Sequence, residues 1–147
     1  MFSLKLLVGG VLLPAAVAGL TMLPASPASA TTPACTKRVL FSLNGSGFAH
    51  VPMNASETTT RCSLKKGANN PAVHALQEMI NECYVRTDEI SHARLDEDND
   101  FGQNTYDALR QVQQVIHAAV DGQYGPETAS KIEAQASNGS CDTFPAN

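Results

Sequence analysis

Three aromatic side chains, Phe101, Tyr106 and Tyr124, fall among Asn104, Arg110, Gln113 and Gln123. Rings offer flat apolar faces, and the amides around them offer donors and acceptors. That mixture suits a sugar, which presents an apolar face inside a polar rim. Arg110 adds a planar fork that fits a carboxylate. The competing assignment makes Phe101 and Tyr124 core anchors and pairs Arg110 with Asp107 or Asp100. Catalytic patterns are weaker. His50, His74, His92 and His117 are scattered, and neither His-Glu-x-x-His nor Gly-x-Ser-x-Gly occurs. Glu78 and Glu82 stand one helical turn apart, whereas a glycosidase pair comes from separate elements flanking a cleft. Asp96, Asp98 and Asp100 resemble the first ligands of a calcium loop, but Phe101 takes the place of the glycine and Asp107 that of the final Glu. Binding without catalysis, metal or cofactor is the expectation.

The elements that must position these residues are two copies of one turn. In Val120–Thr128, VDGQYGPET, Asp121 and Gly122 make a tight bend, Gly125 clears the backbone, and Pro126 suits a first helical residue. The same order appears earlier at Asp98, Asn99, Phe101, Gly102 and Thr105, with Asn99 in the place of Gly122; asparagine tolerates the left-handed region best among residues with a side chain. A repeated turn-plus-helix unit points to an internal duplication.

Before these turns, Lys37–Leu43 and Phe48–Met53 are β-favouring runs around Asn44-Gly45, which predicts a hairpin. Asn70-Pro71 predicts a helix start, with Val73, Leu76, Ile80 and Cys83 on one face and an end near Tyr84. A second helix is predicted from Gln103 to Ala119, with Tyr106, Leu109, Val112, Ile116 and Ala119 inward. A third is predicted from Pro126 to Gln135, offering Ala129, Ile132 and Ala136. No segment from Gly67 onward reads as a strand. The predicted fold is mainly α: a three-helix bundle behind a small N-terminal β-hairpin.

Residues 1–30 carry one cation, Lys5, then an apolar run and Ala28-Ser29-Ala30, the order of a secretory signal peptide. Cys35, Cys62, Cys83 and Cys141 all follow it, so two disulfides are expected. Three connectivities are possible; Cys35 to Cys62 with Cys83 to Cys141 would let each bridge close one structural unit. The net charge is −4, with cations gathered at Lys37, Arg38, Arg61, Lys65 and Lys66 and acids from Asp88 to Asp107. An acidic chain without a basic stripe argues against nucleic acid.

In order along the chain, Gly67, Val73, Leu76-Gln77, Asp98, Phe101-Gly102, Thr105, Ala108-Leu109, Val112-Gln113, Asp121-Gly122, Gly125-Pro126 and Thr128 resemble the pattern of the peptidoglycan-binding domain attached to many bacterial cell-wall hydrolases. Asn70, Asn99 and Val112 depart from it, and the acidic loop between Tyr84 and Asp98 is longer than usual. The hairpin and cysteines are similar to what small exported actinobacterial proteins add to this domain. The resemblance implies a secreted or wall-associated monomer that reads peptidoglycan glycan or stem peptide, or else an adaptor or inhibitor of a secreted hydrolase, with no membrane contact after cleavage. The division expected is 1–30 signal peptide, 31–66 hairpin extension, 67–141 helical domain and 142–147 tail. Phe101, Asn104, Tyr106, Arg110, Gln113, Gln123 and Tyr124 are the candidate ligand residues.

Overall fold

The computed structural model describes residues 31–145, so the signal-peptide expectation for residues 1–30 lies outside the described residues. Strands β1 (Cys35–Ser42) and β2 (Phe48–Asn54) pair antiparallel, with Val39 opposite Val51 and Phe41 opposite Ala49. Gly45 and Gly47 supply the positive φ angles that close the loop, and the Leu43 N–H bonds the Gly47 carbonyl at 2.8 Å. This is the hairpin read from Asn44-Gly45. The Cys35–Cys62 bridge ties the start of β1 to the loop after β2.

Helix α1 (Pro71–Ile80) begins as Asn70-Pro71 predicts: the Asn70 side chain accepts from the Ala72 N–H at 2.9 Å. One π-helical turn, Asn81–Val85, extends it past Tyr84. Helix α2 (Gln103–Val115) stops short of the predicted Ala119 because His117 takes a positive φ and the Ala118 N–H reaches the Gln113 carbonyl at 2.9 Å. That is a left-handed cap of the kind glycine usually forms, built here without one.

The mainly α three-helix bundle is not what forms. Helix α3 is the single turn Pro126–Ala129, and the predicted third helix gives way to strand β3 (Glu133–Gln135), paired antiparallel with β4 (Cys141–Thr143). Among the described residues the architecture is two two-stranded sheets, two helices, the π-helical turn and the single turn α3. Three constraints override the helical reading of 130–136. The Cys83–Cys141 bridge pins β4 to the end of α1. Gly139, at φ 87°, turns the chain back so that the Ala136 N–H bonds the Ser140 carbonyl. The Glu133 N–H donates to the buried Tyr84 hydroxyl at 2.9 Å. Ala129, Ile132 and Ala136 are buried as expected, but Ala129 closes the single turn of α3 and Ile132 and Ala136 flank β3.

One apolar core runs from Cys35, Val51 and Met53 of the hairpin through Leu76, Ile80, Leu109 and Ile132 to Phe144. The two small sheets meet at the hairpin tip, where the Asn44 N–H bonds the Thr143 carbonyl and the Ser137 N–H bonds the Phe48 carbonyl. Two-stranded sheets are marginal alone; here each is held by a disulfide and a shared core.

Candidate functional site

Each repeated turn is gripped by a buried glutamine from the preceding helix. Gln77 on α1 donates through Nε2 to Asp98 Oδ1 at 2.8 Å, to the Asp100 carbonyl at 3.1 Å and to Thr105 Oγ1 at 3.2 Å, and its Oε1 accepts from the Asn99 N–H. Gln113 on α2 repeats the arrangement with Asp121 Oδ1 at 2.9 Å, the Gln123 carbonyl at 2.9 Å and Thr128 Oγ1 at 3.2 Å, and accepts from the Gly122 N–H at 2.8 Å. Within each turn the Asp carboxylate also accepts from the N–H two residues on, at Asp100 or Gln123. The turns are thus two copies of one hydrogen-bonded clasp. Bonds from Gln77 and then from the Asp100 N–H hold the Asp98 carboxyl below the usual carboxylate range.

The clasps carry the aromatic residues inward. Phe101 and Tyr124 are fully buried, and burial raises the Tyr124 hydroxyl well above its ordinary pKa. Both pair through the backbone with the segment after the hairpin: the Phe101 N–H with the Ala68 carbonyl at 2.8 Å, and Tyr124 reciprocally with Leu64. Their rings anchor the turns and present no face to a ligand, and Gln113 is equally buried.

What remains outside is narrower than the expected surface. Asn104, Arg110 and Gln123 are exposed, and Tyr106 is half-buried. The Arg110 guanidinium lies 5.8 Å from the centre of the Tyr106 ring. Asp107 instead accepts from Gln103 at 2.9 Å. Tyr106 in turn covers Gly122, where a Cβ would stand 2.1 Å from the ring. The structural residues Asn99, Gly102, Gly125 and Pro126 shape the two helix starts, with Gly102 and Gly125 as extended N-caps.

Beside the first clasp is a hollow of about 270 Å³ lined by Gln77, Leu95, Asp96, Asp98, Asp100 and the first residues of α2. Gly102 caps α2 without a side chain, and Gln103, Asn104 and Thr105 of its first turn line the hollow together with the carboxylates. Donors and acceptors side by side suit a ligand rich in hydroxyl and amide groups. Among the described residues no group of three or more His, Cys, Asp or Glu side chains is placed to hold a metal ion, and no helix is long and apolar enough to cross a membrane.

Asn81 is a residue that sequence reasoning missed. Fully buried, it accepts from the Leu95 N–H at 2.8 Å and donates to the Leu95 carbonyl and to Glu97, fastening the long acidic loop to the end of α1. A polar residue on the apolar stripe Leu76, Ile80, Cys83 was the available signal.

No curated protein and no solved structure matches the chain. A family model does match, over residues 69–132, and the family is described as a putative peptidoglycan binding domain. The match runs from the cap of α1 through both clasps to the end of the bend after α3, so segment 69–132 of this chain is similar to that family.

Proposed function

We propose that this protein is an exported, non-catalytic binder of bacterial cell-wall peptidoglycan. The family match over residues 69–132 is the observation that carries the reading; both disulfides are compatible with an extracellular or cell-wall location. The ligand face is the exposed start of α2 with the second turn: Asn104, Tyr106, Arg110 and Gln123, beside the acidic hollow. Buried Phe101, Gln113 and Tyr124 act beneath it as a rigid support, which lowers the ordering cost of a long polymer. Purified protein is expected to pellet with insoluble sacculi. Asn104→Ala combined with Arg110→Ala is expected to weaken pelleting while circular dichroism stays unchanged. Absence of pelleting by the wild type would sink the wall-binding reading, and release of soluble muropeptides would sink the non-catalytic one.

A second reading, an adaptor or inhibitor for a secreted hydrolase, is favoured by one observation. Leu40 and Phe48, 60% and 55% exposed, sit diagonally on neighbouring strands of the hairpin. Capture of a secreted enzyme that Leu40→Ser abolishes would support it.

A further inference from the structure

A cavity of about 330 Å³ lies where the hairpin extension meets the family domain. Its floor is the buried Cys35 and Leu64, flanked by Ala34 and Ala68, and the exposed Lys65 and Lys66 stand at its rim. The walls are fixed from both sides. The Cys35–Cys62 bridge and the Cys35 N–H bond to Ser63 hold one; the pairing of Leu64 with Tyr124, and of Gly67 and Ala68 with Phe101, holds the other. A preformed site of this size is at the lower end of the small-ligand range.

The charge at the rim is unmatched. No acidic residue lines the cavity, Lys65 has no ion-pair partner among the described residues, and Lys66 reaches only the neutral amide of Gln103. The backbone N–H groups of Lys65 and Lys66 likewise have no protein acceptor among the described residues. Apolar floor, small-residue walls and two ammonium groups together select an anion joined to short aliphatic groups.

We infer that this junction cavity binds the free carboxylate end of a short peptide with methyl-sized side chains. The inference rests on the proposed wall-binding function and adds to the α2 face a second contact, which reads stem peptide. An anionic polyol phosphate would satisfy the lysines but leave the apolar floor without a partner.

The test uses the mature chain and two probes, N-acetyl-lysyl-alanyl-alanine with a free carboxylate and the same peptide capped as the amide. Amide resonances of residues 63–68 are expected to shift with the free acid. The amide-capped probe, and the Lys65→Met/Lys66→Met variant with the free acid, are each expected to bind about tenfold more weakly, the size of one lost charge-assisted hydrogen bond. Unchanged thermal midpoints would show that the variant folds. The inference is overturned if the resonances do not move at millimolar free acid, if both probes bind equally, or if glycerol phosphate displaces the free acid. Sacculus pelleting separates the two claims: pelleting without probe binding sinks this site alone, and probe binding without pelleting sinks the wall-binding reading alone.

Discussion

Gly122 and Asn99 occupy the same place in two copies of one turn, at φ 70° and 68°, yet they tolerate different substitutions. At Asn99 the left-handed conformation is the only demand, and Asn99→Gly is expected to leave stability within about 0.5 kcal/mol of wild type. At Gly122 the Tyr106 ring fills the space a side chain would need. Gly122→Asn is therefore expected to cost about 2 kcal/mol in urea unfolding, although asparagine serves the first turn. Equal effects at both sites would show that the packing of Tyr106 does not matter. Glu133 makes a pH-dependent counterpart. Burial, then the nearby charges of Glu89 and Asp142, hold its carboxyl above the ordinary value. The folded state thus binds this proton more tightly than the unfolded chain. The favourable contribution is full below the unfolded pKa and is lost as pH rises through the folded one. Glu133→Gln, which keeps the backbone bond to Tyr84, is expected to stabilise the protein at neutral pH, with the gain vanishing below about pH 4. A gain that persisted in acid would refute this.

At the scale of elements, the C-terminal β3–β4 pair depends on one covalent tie. The Cys83–Cys141 bridge spans 58 residues, and loop-closure entropy alone assigns it about 4 kcal/mol. Cys83→Ser with Cys141→Ser is expected to speed amide exchange in residues 133–143 first, while the clasp amides of Asn99 and Gly122 stay protected. Uniform loss of protection would mean that the sheet and the clasps unfold as one unit. The tie also accounts for the missing third helix. Lys131 to Ala136 has adequate helix formers, but three residues per strand gain a disulfide, a tyrosine hydroxyl and a buried Ala134 by extending instead.

At the scale of the molecule, the matched segment holds only part of the core it packs on. Phe144, Met53 and Val51 complete the cluster from outside residues 69–132. A fragment ending at Ile132 and starting at Asn69 is expected to unfold at a much lower urea concentration than the 31–147 chain, by at least about 4 kcal/mol, since it loses both disulfides and these apolar side chains. A fragment as stable as the longer chain would make the hairpin an ornament to a self-sufficient domain. The charge distribution also acts at this scale. Arg38, Arg86, Arg94 and Lys131 are paired with acids, whereas Lys37, Arg61, Lys65 and Lys66 of the extension have no ion-pair partner among the described residues. The extension thus carries cations without ion-pair partners, and Lys66 brings one of them to Gln103 beside the acidic hollow.

Local rules were sufficient where a short stretch carries its own reason for bending or coiling. Asn44-Gly45, Asn70-Pro71, the Asp121-Gly122 turn and its copy at Asp98-Asn99 all form where the residues place them, and the cysteines pair so that each bridge closes one unit. A second Asn-Gly, at Asn138-Gly139, carried the same hairpin signal for β3 and β4 but stood between runs only three residues long. Only the folded molecule could decide which way the aromatic rings of the turns face. Phe101 and Tyr124 have the same neighbours in sequence whether they serve a ligand or a core. What turns them inward is the segment Leu64–Ala68, which pairs with them from more than thirty residues away in the chain. Burial is a property of distant contacts, so the proposed ligand surface passes from the rings to the polar residues that those contacts leave exposed.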